Sequence, residues 1–279
     1  MTRPSSRDKL VGKKIAVIGA DDINPALTCG MSADQLNSIG FGIAKILLEH
    51  GARIIVISSQ QAHVDDAVSR LNAHIPDNSN LSSRVAQVTG LVGNLRDEAA
   101  VTSQLIALAP LDHVVFTSVD RIIRGPLASA DLDDARHLFG LKFWGSVVVA
   151  KALAAHEIVR PGGSLTLTSG LAALRPSMGT SLGGALNGGL NTLTQGLAME
   201  LSAKKIRANT VVPGLCRTEL WDKQGHSREA QEEVMAAVGK DLSVGFVALP
   251  EDVAEAYLYL IRADYANGTT VVIDGGAHI

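Results

Sequence analysis

A single doubly wound α/β domain, built on a parallel sheet of about seven strands, is the fold class that three observations predict. Short β-rich runs alternate with longer helical patterns along the whole 279-residue chain, as parallel strands joined by crossover helices do. Several of the β-rich runs are apolar throughout, which suits strands covered on both faces. No internal repeat or low-complexity linker interrupts the alternation, so one domain, 1–279, is expected.

The first strand is read at 14–18 and ends in Gly19, and the helix read at 40–50 is introduced by Ser38, Ile39 and Gly40. A strand, glycines and then a helix let backbone N–H groups and the helix N-terminus receive a pyrophosphate. Between them lies an insert, 20–37, with Pro25, Gly30 and the run Ser32-Ala33-Asp34-Gln35, which reads as a capping box. The insert is taken as a solvated extension of the phosphate loop, with contact to substrate or a partner subunit as the other reading. The second strand, 53–58, leads into Ser59 and Gln60, where an NAD-selective site places a carboxylate on the ribose hydroxyls. No acid stands there, which favours NADP(H) over NAD(H), although Gln60 is a weaker phosphate partner than an arginine. Strands at 85–89, 113–117, 164–168, 206–212 and 270–273 follow, with helices at 62–71, 97–108, 132–156, 181–202, 228–239 and 250–262. The stretch 220–249 breaks the alternation with polar residues and glycines. It is read as a substrate lid over the crevice or as surface decoration.

Composition narrows the partners. The formal charge is -3 and no dense Lys/Arg block appears, which argues against nucleic acid or an anionic membrane. The start is polar and lacks the apolar segment of a secretory signal, and no run is read as long and apolar enough to span a bilayer. Two cysteines, Cys29 and Cys216, suit a reduced compartment, and the cytoplasm is expected. The eight histidines form no ligand-like cluster, so no metal is expected.

Four groups of residues carry a family resemblance: Gly19 with Ser38-Ile39-Gly40; Arg207-Ala208-Asn209 leading into Pro213-Gly214 and Thr218; Pro250-Glu251-Asp252-Val253-Ala254; and Asp274-Gly275-Gly276. With these the chain resembles the short-chain dehydrogenase/reductase superfamily over almost its whole length. The Ser38-Ile39-Gly40 run is also similar to the stretched loop of the divergent enoyl-thioester reductases. The remainder resembles an atypical fungal and bacterial group that includes natural-product imine reductases and cyclases. The resemblance implies a Rossmann-type fold, a small-molecule substrate and a homodimer or homotetramer. By position it places Gly19, Ala20, Ser38, Ile39 and Gly40 at the pyrophosphate, Ser59 and Gln60 at the adenosine ribose, and Asn94 with Leu95 beside the adenine. Thr117 and Ser118 replace the family's paired asparagines, while Pro213, Gly214, Leu215 and Thr218 face the nicotinamide carboxamide.

The reacting end departs from the family. Ordinary members use an asparagine, a serine, a tyrosine and a lysine, the tyrosine protonating the carbonyl oxygen as hydride arrives. The matching positions here are Lys142, Gly170, Gly183 and Asn187, so none of the four is retained. A slip by one would put Ser169 at the serine position, but the only tyrosines are Tyr257, Tyr259 and Tyr265. Lys142 reads as a ribose-binding cation or a proton donor with a pKa lowered by desolvation, against a lysine snorkelling to solvent beside Phe143 and Trp144. Asp120 reads as the partner of a substrate cation or as half of a surface ion pair with Arg121. Asn187 reads as a hydrogen-bonding group or as filler of a lysine's space. Gly170, Gly183, Gly184, Gly188 and Gly189 suit either an enlarged pocket or close helix packing. An iminium is already activated and needs mainly hydride positioning, so losing the tyrosine costs least there. The expected function is therefore NADP(H)-dependent reduction of an imine, iminium or other activated unsaturated natural-product intermediate, with cyclisation in the same pocket. A catalytically inactive NADP(H)-binding pseudoenzyme and a redox-neutral cyclase or isomerase are the alternatives.

Overall fold

The computed structural model describes residues 9–19, 38–75, 85–119, 124–218 and 227–279. Their strands are β1 (Lys14–Ile18), β2 (Arg53–Ser58), β3 (Gln87–Val92), β4 (Leu111–Phe116), β5 (Val159–Thr168), β6 (Arg207–Pro213) and β7 (Thr270–Ile273). All neighbours pair in parallel, in the spatial order β3-β2-β1-β4-β5-β6-β7. Strand order reverses between β1 and β4, and a sheet of this kind opens its ligand crevice beyond the carboxyl ends at that point.

Alternation along the strands builds two cores. Ile15, Val17, Ile54 and Val56 face the layer formed by α1 (Ile39–Glu49), α2 (Gln61–Ala73) and the last helix. Ala16, Ile18, Ile55 and Ile57 face the opposite layer. That layer contains α3 (Glu98–Leu108), the segment from α4 (Leu132–Leu138) to α5 (Gly145–Ala155), and α6 (Ser181–Glu200). Successive strand residues point to opposite faces, so a fully apolar strand is what a two-sided sheet requires. The fold is completed by α7 (Arg228–Asp241) and α8 (Pro250–Arg262). α1 and α8 lie close because Gly42 presents no side chain: a Cβ there would stand 2.8 Å from Pro250 Cβ.

Four sequence expectations are corrected. The third strand runs over Gln87–Val92 rather than 85–89. Gly90 sits within it, since α2 packs Val64 into the space a Cβ would need. The fifth strand begins at Val159, not 164, and its pairing with β4 shifts between Leu111 and His113. The helix read as continuous over 132–156 is α-helical on either side of a π-helical turn, Phe139–Trp144. Finally, Leu132–Ala155 is long and apolar enough by length and composition to cross a membrane. In the fold its Ser146, Val149, Ala150, Ala152 and Leu153 are buried, with Val149, Ala150, Ala152 and Leu153 in the second core.

The proposed lid falls partly outside the described residues, at 220–226. Its remainder holds α7, capped by Ser227 Oγ accepting from the Ala230 N–H at 3.3 Å, and a loop on which Val244, Phe246 and Leu249 are exposed.

Candidate active site

A cleft of about 270 Å³ opens beyond the carboxyl ends of β1, β4, β5 and β6. One wall is the start of α1. Ser38 is extended and its Oγ accepts from the Phe41 N–H at 3.0 Å, so the helix begins at the cleft edge, and its first turn carries no acidic residue. Ser38, Ile39 and Gly40 line the cleft beside Gly19. Helix-start amides other than the one Ser38 caps, with no carboxylate in the first turn, are the donor set a pyrophosphate needs, so this wall fits a dinucleotide. Gly19 has φ +88°, and a Cβ on it would meet Ser118 Cα at 2.5 Å. Glycine is required at that turn by the exit of β4 as well as by any ligand. Thr117 locks the two strand ends together, its Oγ1 donating to Ile18 O at 3.1 Å and Gly19 O at 2.9 Å.

The other sequence-predicted nucleotide residues lie where their strands end but not in the cleft wall. Ser59 and Gln60 are exposed just beyond β2. Asn94 is exposed beyond β3, its Oδ1 accepting from the Arg96 N–H at 3.1 Å. The Leu95 side chain belongs to the second core and packs against Gly145, so only its backbone is left for a ligand. Ala20, the insert 20–37 and Asp120 lie outside the described residues.

A second wall runs from β6: Pro213, Gly214, Leu215 and Thr218 line the cleft as expected, and Cys216, which sequence reasoning left out of the site, joins them. A Cβ on Gly214 would lie 2.7 Å from Asp274 Cα. Burial first, then Asp252 and Glu251, push the Cys216 thiol up, which keeps it an unreactive thiol.

The third wall is the reacting end, and it brings together Lys142, Ser169, Gly170, Gly183 and Asn187. Lys142 lies in the π-helical turn, a feature that recurs at functional sites, and it is 9% exposed. Its Nζ donates to Ser169 O at 2.9 Å and to Asn187 Oδ1 at 2.9 Å. The snorkelling reading is thereby corrected, because the side chain turns inward to two fixed acceptors while Trp144 faces solvent. The filler reading of Asn187 is corrected by the same bond. Burial lowers the Lys142 pKa to about 8. Ser169 lines the cleft too, with its Oγ donating to Asn187 O at 2.8 Å. Gly170 makes room for the Asn187 amide, whose Nδ2 would be 2.8 Å from a Cβ there.

The remaining glycines of α6 divide. Gly184 sits against Ala172 O, where a Cβ would be 2.9 Å away, and Gly189 against Phe143 Cε2 at 3.1 Å, while a Cβ on Gly188 meets nothing within 4 Å. Within the chain, close packing thus brings Gly184 against the turn after β5 and Gly189 against the π-helical segment.

No phenol reaches the cleft among the described residues. Tyr257 is fully buried under Thr168, with 2.6 Å between its hydroxyl oxygen and Thr168 Oγ1, and Thr168 Oγ1 in turn donates to Phe116 O at 2.8 Å. Burial raises the Tyr257 pKa, with the Thr168 bond opposing it, so it stays neutral. Tyr259 and Tyr265 are exposed elsewhere. Arg124, also missed from the sequence, lines the cleft on the segment after β4; its place beyond that strand's carboxyl end was the available signal.

With this geometry in place, comparison with known proteins is informative. A family profile described as an SDR-like rossmann domain matches residues 26–279. The short-chain dehydrogenase/reductase malC of Malbranchea aurantiaca is 32% identical over 278 residues, covering 97% of this chain and 96% of its own. The solved structure of the MalC reductase/Diels-Alderase from Malbranchea aurantiaca superposes with a TM-score of 0.79 at 30% identity, covering 97% of this chain and 98% of its own. A small-chain dehydrogenase solved in complex with NADPH superposes with a TM-score of 0.69 at 25% identity, covering 96% and 99%. The chain belongs to the short-chain dehydrogenase/reductase superfamily and is an oxidoreductase of that type.

Proposed function

We propose that the chain reduces an imine, iminium or comparably activated unsaturated natural-product intermediate with NADP(H), with ring closure in the same pocket. The observation that carries this reading is the reacting wall: Lys142, Asn187, Ser169 and Gly170 stand where a phenol-based proton donor would be needed for an ordinary ketone. Reduction of a ketone develops alkoxide charge and needs such a donor, whereas an activated C=N or conjugated acceptor needs less. The likeness to a protein named reductase/Diels-Alderase supports both the reduction and the cyclisation. NADP(H) rather than NAD(H) is supported by the absence of a carboxylate at Ser58, Ser59 and Gln60. Bound NADPH would supply hydride; Ser38, Ile39 and Gly40 would hold its pyrophosphate, and Pro213 to Thr218 its nicotinamide end.

The test is a titration of NADPH and NADH, followed by NADPH oxidation with cyclic imines, N-alkyl iminium salts and conjugated enones. Consumption of one NADPH per product is expected. Tight NADPH binding with no oxidation across all three classes favours the pseudoenzyme reading, which the complete replacement of the catalytic tetrad supports. Product formation without NADPH consumption favours the redox-neutral cyclase. A homodimer or homotetramer is proposed on the family resemblance, and sedimentation at micromolar concentration tests it.

A further inference from the structure

We propose that Lys142 is the proton donor of the reduction and that the group it serves is a neutral C=N, as in a cyclic imine, not an iminium of fixed charge. The proposal rests on the reductase reading above and narrows its substrate class.

The geometry around Nζ carries it. An ammonium has three N–H donors in tetrahedral array. Two are committed, to Ser169 O and Asn187 Oδ1, and among the described residues no acceptor takes the third. Lys142 lines the cleft, and the proposal directs the uncommitted N–H there. Both acceptors are themselves held. The Ser169 N–H donates to Val211 O at 2.9 Å, tying it to β6, and Ser169 Oγ grips the Asn187 backbone. Gly170 leaves room for the Asn187 amide, and Ser146 Oγ donates to Lys142 O at 2.7 Å on the lysine's own helix. A donor with two bonds fixed has one direction left, which is the preorganisation that proton delivery requires.

Electrostatics selects the substrate. Asn187 and Gly183 of α6 and Ser169 at the end of β5 bring no charge to Nζ, and burial is the sole cause of its lowered pKa. The other titratable groups among the described residues of the cleft are Arg124, after β4, and Cys216, after β6, with Tyr257 behind Thr168. No carboxylate among the described residues faces Nζ to neutralise it. A substrate of fixed positive charge would meet an ammonium in a half-closed cleft and be repelled. A neutral imine nitrogen instead offers the lone pair that the third N–H lacks. Hydride adds to the imine carbon, the C=N π pair moves onto nitrogen, and that nitrogen takes the proton from Nζ. The products are a neutral amine, NADP+ and an uncharged Lys142, which regains its proton from solvent through the cleft. A pKa of about 8 keeps the acid form dominant at neutral pH without making the proton hard to release.

The experiment uses 2-methyl-1-pyrroline and its N-methylated, permanently charged counterpart with NADPH, from pH 6 to 10. Wild type should reduce the pyrroline, with kcat falling above pH 8, and should turn over the charged analogue at least about a hundredfold more slowly. Lys142→Met should lower kcat by about a hundredfold or more and abolish that alkaline limb, while NADPH affinity stays within about threefold. Lys142→Arg, which keeps charge but does not release a proton, should not rescue. Equal use of the charged analogue, or a limb that survives in Lys142→Met, overturns the proposal. A second readout needs no turnover: acetylation of Lys142 by acetic anhydride, followed by peptide mass. It should show half-titration near pH 8 and protection by NADP+ with 2-methylpyrrolidine. An ordinary lysine titration or no protection overturns the proposal alone. Expected titration with no pyrroline reduction overturns the reductase reading and the proposal with it.

Discussion

At the α1 end of the cleft the groups facing a ligand are backbone amides, set by the turn at Gly19 and the cap at Ser38. At the α5–α6 end they are side chains, Lys142, Asn187 and the Gly170 gap, hung on helices whose other faces are core. The first kind of site depends on strand ends and a helix start, so it persists as long as the sheet does. The second kind is rewritten by a few substitutions that leave the fold intact. The two ends of one cleft thus present different chemistry, backbone amides at one and side chains at the other.

The largest effect is expected from breaking the backbone-built end. Gly19→Val forces a β-branched residue to φ +88° and drives its Cβ toward Ser118 Cα at 2.5 Å. The left-handed backbone costs roughly 1–2 kcal/mol, and overpacking a further 1–3 kcal/mol. Urea unfolding should show a loss of about 3 kcal/mol, and NADPH affinity should fall more than tenfold. Wild-type affinity in this variant would mean that the turn is not part of the cradle.

Next comes the pH dependence of stability at the side-chain-built end. Lys142 has its pKa lowered from 10.5 to about 8 in the fold. Between those values the unfolded chain binds more protons than the native one, so stability rises with pH across that window and is flat on either side. Integrated from pH 7 to 9.5, the single group contributes a gain of about 2 kcal/mol. Lys142→Met should lack this gain when urea midpoints at the two pH values are compared with wild type. An identical rise in both proteins would show that Lys142 titrates normally and that the reacting wall is wetter than its burial implies.

The same contrast explains what the sequence disclosed. Strands such as β1, β2 and β4 were readable because each carries a β-rich apolar run bounded by turn residues. The α8 range was matched because Pro250 opens it and Asp252 accepts from the Leu249 N–H. The continuation of β3 to Val92 was not legible because the reason for Gly90 is tertiary: Val64 of α2 fills its side-chain space. In the site, Lys142 and Asn187 were identified by spacing, yet their bond to each other was invisible, since the π-helical turn that aims Lys142 has no local sequence mark. Arg124 and Cys216 both follow strand ends, which was the available signal, but a linear pattern does not show which of the residues there turn toward the crevice.

A smaller change sharpens the reading of the α1 wall. Ser38→Ala removes the cap on Phe41 N and should cost about 1 kcal/mol in urea. If the helix start also receives the pyrophosphate, NADPH binding should weaken a few-fold and recover part of the lost stability as ligand is added. A stability loss with unchanged affinity would assign Ser38 to folding alone.

The smallest effect tests whether the one phenol near the cleft belongs to the chemistry. Tyr257 hydrogen-bonds with Thr168 Oγ1 at 2.6 Å, and Thr168 lines the cleft, so a proton path from the phenol through the threonine is geometrically conceivable. Two facts argue for a structural role instead: Thr168 Oγ1 already donates to Phe116 O, and burial holds the phenol in its neutral form. A hydroxyl whose proton has been given to a carbonyl must accept from the phenol, which fixes Tyr257 as a donor into the core wall rather than toward a substrate. Tyr257→Phe should then cost about 1 kcal/mol of stability. It should leave NADPH oxidation within about twofold, because Thr168 keeps its other partner and no buried group is orphaned. A loss of kcat comparable to that of Lys142→Met, with stability unchanged, would move the proton source across the cleft to β5 and restore a phenol to the mechanism.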